Sequence, residues 1–480
     1  MKKQLQFIFL FVSLIVFLSP KTSLAQLVNG LQGDGTYDSP VLIQSADDLK
    51  LFSEYVNARG NSIEKYFKLT TDIDFSDEPL MYDLDGDGTN ESNFKTIGDN
   101  QNAGFKGFFD GNNCTISGLK IKSKAQFIGL FGFAATQSLD SKKIKIININ
   151  IATSRFENAQ GNIYLGSIAG CAQLCDLENC NASSVEIVVS TSAIAGGITA
   201  FNYGNLIEDC SFKGSITSTA AGATLGGIVG GAGQIGTFNR CYADVTISSV
   251  GDDCFIGGFA GSTHSEIINS YSTGTISVSG ENCVAGGFVG GLVTGGNIYN
   301  SYSICSMTTE NTSSTGYFGG FAGGALEIVS MSNNYFIDSW SNQIIEDSGI
   351  GTEKSESEMK ASAFVTTLNN NQSPAAWGAD LNNDNNGFPV LKSQEHLLQI
   401  IPLKNNNENK ANISFENGVI KVSGKQLTFI QVTDVQGRII KRESISGDYA
   451  QMELQQPTGI YIVTVGSSSY IQSAKFLNVR

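Results

Sequence analysis

The chain has 480 residues, 41% of them apolar, which is enough to bury a core and argues against wholesale disorder. Thirty basic against 45 acidic residues give a net charge of −15, and between Arg155 and Lys354 the only basic residues are Lys213 and Arg240. No basic face for nucleic acid can form there, and two histidines, His264 and His396, exclude multi-histidine metal sites.

Residues 1–25 read as a signal peptide. Lys2 and Lys3 precede an apolar run from Phe7 to Leu18, and Ser23-Leu24-Ala25 offers small residues where a signal peptidase reads. The run is too short for a mature transmembrane helix, and Gln26 in place of cysteine argues against a lipid anchor. Cleavage would remove three lysines, so −15 becomes −18 on an exported, acidic product.

Residues 26–125 are expected to hold an N-terminal cap and the first coils. Ser45 opens a helix through about Val56, with Leu49, Phe52 and Val56 on one face, suited to plugging an open sheet end. Further on, Asp83, Asp85, Asp87 and Glu91 stand at alternating positions around Gly86 and Gly88, as oxygen ligands do in a Ca²⁺ loop. Phe94 falls where a bidentate carboxylate would complete an EF-hand, so the alternatives are a Ca²⁺ site and a solvated acidic loop.

From 126 to 392 a repeat dominates. Gly-bracketed apolar motifs begin at Gly129, Gly166, Gly196, Gly226, Gly257, Gly286 and Gly319, spaced 37, 30, 30, 31, 29 and 33 apart. Other columns keep step: Leu177, Ile207, Phe238, Ile267, Ile298 and Met331 form one, and Cys180, Cys210, Cys241, Ser270, Ser301 and Asn334 lie three residues on. Just before the second stand Asn179, Asp209, Arg240, Asn269, Asn300 and Asn333. Short β-branched and aromatic stretches separated by Gly, Ser and Asn are strand chemistry. A unit this small buries its apolar side only by stacking on its copies, so matching residues are expected to lie above one another about 4.8 Å apart. The reading is a parallel β-helix with a core stripe of Phe131, Ile168, Ile198, Ile228, Phe259, Phe288 and Phe321, and asparagines stacked at a turn. An antiparallel sandwich or propeller is the alternative.

Gly129-Leu130-Phe131-Gly132 and its copies resemble the GLUG repeat family. Val41 to Leu49, Phe67 to Asp74 and Phe105 to Leu119 are similar to the lead-in of such proteins. The resemblance implies a right-handed parallel β-helix on a bacterial surface protein, among adhesin-like proteins and certain immunoglobulin proteases. The separate metalloprotease domain of the latter has no counterpart here.

Ser355 to Leu368 repeats the capped-helix pattern, and Trp377 with Gly387 to Leu391 resembles a closing strand. Residues 393–410, with Asn405 to Asn409, read as a linker. Residues 411–480 read as a small β-sandwich with turns at Asn417-Gly418, Gln436-Gly437 and Pro457-Thr458-Gly459. Asp434 to Arg438 and Pro457 to Val463 resemble the C-terminal sorting domain of type IX secretion. That implies a Bacteroidota source, export through outer-membrane secretion machinery, and an extracellular or outer-membrane surface address. The usual Asn-Pro near the domain start is missing, which leaves a plain stalk open.

Three functions remain in play: an adhesin-like protein that binds polysaccharide or a host glycoprotein surface, a β-helix carbohydrate-active enzyme, and a structural stalk. For the first, Tyr242, Tyr271, Tyr302 and Tyr335 follow the Cys/Ser column and form either an outward strip for sugar rings or a buried aromatic stack. No catalytic residues are assigned. Lys213 and Arg240 are the only bases a lyase could use within the coils, and Asp252-Asp253 lacks supporting partners for a hydrolase. Asp380 to Asp384 is a weaker oxygen-ligand run. Cys171, Cys175 and Cys180 could hold one disulfide or a metal, and the stacked cysteines otherwise read as small apolar filling.

Overall fold

The computed structural model describes residues 27–60, 62–136, 144–161, 163–292, 296–309, 316–325, 331–337 and 351–392, and then 412–416, 419–434, 439–453, 459–467 and 471–478. The expected leader and linker lie outside the described residues. The chain divides into two compact units on either side of Glu395.

The larger unit is a parallel β-solenoid. One coil shows how thirty residues are spent: Leu206–Glu208, Ser211–Ser218, Thr224–Gly226 and Val229–Ala232 are its four strands, and Thr237–Asn239 begins the next coil. The first two strands of successive coils join one 18-stranded sheet; the third and fourth build two seven-stranded sheets, the second and third sheets below. Neighbours pair in parallel with the register read from the sequence columns, Leu177 on Ile207, Phe238, Ile267, Ile298 and Met331.

The first two strands of a coil are separated by a residue in left-handed conformation. Asn179, Asp209, Arg240, Asn269, Asn300 and Asn333 have φ of 52°, 53°, 53°, 50°, 52° and 62°. Asparagine tolerates this region better than other side chains, and its amide bonds along the stack: Asn179 Nδ2 donates to Asn148 Oδ1 at 3.0 Å, and Asn333 Nδ2 to Asn300 Oδ1 at 2.8 Å. Where the column breaks its asparagine rule, Arg240 grips the Asp209 carboxylate through Nε at 2.8 Å and Nη2 at 2.7 Å.

The core stripe from Phe131 to Phe321 is wholly buried, with Phe259, Phe288 and Phe321 stacked at 4.8 Å between ring centres. The glycine two residues before each stripe residue allows the sharp corner between second and third sheets. A Cβ on Gly226 would stand 2.0 Å from the Val229 carbonyl oxygen, so no side chain fits.

At the N-terminal end, α1 (Ala46–Asn57) is capped by Ser45 and buries Leu49, Phe52 and Val56, as the pattern predicts. The Phe52 ring lies 4.4 Å from Phe67 and 6.0 Å from Phe105, plugging the first coils. The second capped segment differs from expectation. It is two helices, α2 (Glu356–Met359) with a Ser355–Glu358 capping box and α3 (Ser362–Asn369), because the chain turns at Lys360-Ala361. Met359, Phe364 and Leu368 of these helices pack on the outer side of the first sheet. Trp377–Gly378 and Val390–Leu391 close the segment as an antiparallel pair.

In the smaller unit Asn412–Glu416, Val419–Asp434, Ile439–Glu453, Gly459–Ser467 and Ile471–Asn478 form one five-stranded antiparallel sheet. Ile420, Val422, Leu427, Ile430, Val432, Met452, Val463 and Val465 are its apolar core. Most of the turn motif at 435–438 and the start of that at 457–458 lie outside the described residues.

Candidate binding faces

The tyrosine column stacks as its register requires. Tyr242 and Tyr271 lie 5.0 Å apart at 12° between ring planes, and Tyr271 and Tyr302 lie 5.1 Å apart at 8°. Its exposure is not what the glycan-strip expectation needs. The closing segment folds across it: Met359, Phe364, Leu368, Trp377 and Phe388 pack on Tyr271 and Tyr302, leaving them 3% and 0% exposed, with Tyr242 and Tyr335 half-buried. Trp377 sits 5.3 Å from the Tyr302 ring and Phe364 5.1 Å from Tyr335. Burial of four outward aromatic rings is what holds the segment down.

The Asp380 run serves the same closure. Asp380 accepts from the backbone N–H groups of Asp384 and Asn385 at 2.8 Å and Gly387 at 2.9 Å. That turn aims Asn385 Nδ2 at the Tyr302 hydroxyl, 2.7 Å away. These carboxylate oxygens are committed to a turn.

In the acidic loop the carboxylates of Asp83, Asp85 and Asp87 converge within 4.8 Å of one another, a donor set of the right hardness for Ca²⁺. A lysine already stands among them. Lys122 Nζ lies 3.0 Å from Asp85 and 3.6 Å from Asp87 and bonds Glu91. Those contacts push the Lys122 ammonium up from its ordinary value, the Glu91 and Asp85 bonds leading. Asp83 accepts from the N–H groups of Gly86 and Gly88. A metal would therefore have to displace an internal cation.

The cysteine and serine column does more than fill space. The left-handed residue interrupts the ladder, and the next N–H is taken by a side chain one coil on. Cys180 N donates to Cys210 Sγ at 3.4 Å, Cys241 N to Ser270 Oγ at 3.2 Å, Ser270 N to Ser301 Oγ at 3.1 Å, and Ser301 N to Asn334 Oδ1 at 3.2 Å. The sequence signal was the mixture itself, since Cys, Ser and Asn share an acceptor and a small volume. All nine cysteines are free thiols and buried, Cys171, Cys175 and Cys180 included.

Lys213 is paired with Asp244 at 2.8 Å, and Arg240 with Asp209 and Glu208. Asp252 accepts from the Glu281 N–H, and Asp253 occupies a left-handed turn position with φ 58°. The side chains of Lys213, Arg240 and Asp252 thus each have a local structural partner.

The face that sequence reading overlooked is the outer side of the second sheet. Its column runs Phe127, Tyr164, Ile194, Thr224, Phe255, Val284 and Tyr317 in register. No residue of the column carries a charge. Towards its C-terminal end it opens to solvent, with Phe255 42% and Tyr317 60% exposed. The alternation of this column with buried Leu225, Ile256, Ala285 and Phe318 was the available signal.

No family model matches the chain, and no curated protein sequence matches it. Among solved structures it is similar to a Bacteroides ovatus protein that its description assigns provisionally to the immunoglobulin A1 proteases, at 18% identity and a TM-score of 0.47, covering 75% of this chain and 94% of that one.

Proposed function

We propose that the chain is an exported bacterial surface protein whose β-helix binds glycan or a host glycoprotein along one outer face. The observation that supports this most is the uncharged, partly aromatic column of the second sheet, which is open to solvent at Phe255 and Tyr317 while the tyrosine column of the first sheet is covered. A parallel ladder sets outward side chains at regular steps along one axis, so its exposed rings line up for an extended ligand. The N-terminal pattern at 1–25 supports export, and the C-terminal turn motifs support delivery by outer-membrane secretion machinery. We also assign the Asp83, Asp85, Asp87 and Glu91 loop to Ca²⁺, taken in competition with Lys122. The test is an array of glycans and glycoproteins probed with the purified full chain: retention on a defined subset is the expected result, and uniform absence of retention refutes the reading.

A further inference from the structure

Resting on that reading, we infer that the ligand is a neutral glycan chain, seated along the solenoid axis on the outer corner where the second and third sheets meet, with Phe255 and Tyr317 as its two ring platforms.

The geometry begins with glycine. Gly231, Ser262, Gly291 and Gly324 occupy successive coils of the third sheet, directly beside the second-sheet column. A Cβ on Gly291 would stand 2.9 Å from Phe255 Cδ1 and 3.1 Å from Cε1. The phenyl ring therefore rests on bare backbone, held by contact yet 42% exposed. Phe255 pairs through Val284 with Tyr317, so the backbone positions that carry the two rings are two ladder steps apart, about 9.6 Å. That is close to the repeat of a disaccharide in an extended β-linked chain, in which alternate sugars present the same face. The intervening Val284 leaves room for the sugar between, and the hydroxyls of Thr224 and Ser262 supply polar contacts at the edges.

The chemistry selects neutrality. A chain with net charge −15 repels uronates and sulfated polymers, and the described residues of this corner include no lysine or arginine to hold them. The apolar C–H faces of neutral pyranoses suit exposed aromatic rings instead. A peptide strand fits less well, because a sheet face presents side chains and no free backbone donors. A second copy of this chain would meet like charge over a patch whose described residues show two large exposed rings, small against the ~1,000 Å² a stable interface needs.

The experiment is calorimetry and affinity electrophoresis of the full chain with cello- and manno-oligosaccharides, against oligogalacturonate of equal length. The variants are Phe255→Ala, Tyr317→Ala and Tyr317→Phe. Expected are binding of a neutral series only, a three- to ten-fold loss for either alanine variant, the loss of about one ring's stacking, and near-full retention in Tyr317→Phe. Unchanged unfolding midpoints show that both alanine variants fold. Tighter binding of oligogalacturonate, or neutral binding untouched by both alanine changes, overturns this inference while leaving glycan binding by another face standing. A wild-type dimer dispersed by Tyr317→Ala assigns the corner to self-association and also overturns it. Failure to retain any glycan or glycoprotein removes the broader reading as well.

Discussion

Ser301→Ala isolates the side-chain relay that crosses the coils. Ser301 Oγ accepts the Ser270 N–H at 3.1 Å and donates to the Tyr299 carbonyl at 2.9 Å, and both serines are fully buried. Alanine removes the acceptor without opening a path for water, so the Ser270 N–H is stranded at a cost of about 1–3 kcal/mol. Ser301→Cys keeps a weak acceptor at a site where other coils carry Cys210 and Cys241, and should cost under about 1 kcal/mol. Urea unfolding of the full chain measures the difference, and hydrogen exchange locates it. The Ser270 amide should lose protection in Ser301→Ala. The Ile198 amide, bonded to the Ile228 carbonyl at 3.0 Å several coils away, should not, because a solenoid couples each coil to its neighbours only. Equal midpoints for the alanine and cysteine variants, or a Ser270 amide that stays protected in Ser301→Ala, would refute the relay.

Three more expectations follow from the same geometry. Asn300→Val places a β-branched residue at φ 52° and loses the bond to Asn333, so its urea midpoint should drop by the equivalent of about 1–2 kcal/mol, with Asn300→Gly intermediate; a valine variant as stable as wild type contradicts the turn argument. Lys122→Met removes the cation competing for the acidic loop, and calorimetry should show Ca²⁺ affinity rising at least about ten-fold; equal affinities would mean that the ammonium does not compete. The Ser76 hydroxyl and N–H and the Ser117 hydroxyl hold the Asp74 carboxyl below its ordinary value of 3.8. A depressed folded value means that this stabilisation is complete above 3.8 and fades as pH falls below it. Asp74→Asn should therefore be less stable than wild type at neutral pH, with the gap closing in acid; a gap independent of pH would count against the bonds as its cause.

The thirty-residue period pointed to the solenoid over an antiparallel sandwich or propeller, and the parallel register decided it. An in-register parallel ladder can satisfy every column at once, so Leu177 to Met331, the core stripe and the asparagine turn all follow from spacing alone. Local capping rules likewise placed α1, since Ser45 and its apolar face act within a few residues. What spacing could not tell is which outward column is covered. Tyr302 and Tyr317 look alike in sequence, each an aromatic at an outward strand position. Only the return of a distant segment, with Trp377, Phe364 and Asn385, buries the first and leaves the second open. The same limit applied to the acidic loop, where Lys122 arrives from a strand 37 residues beyond Asp85. Periodicity reports contacts between copies of one unit; contacts made by a segment that occurs once leave no repeating trace, and they decide which surface is free to bind.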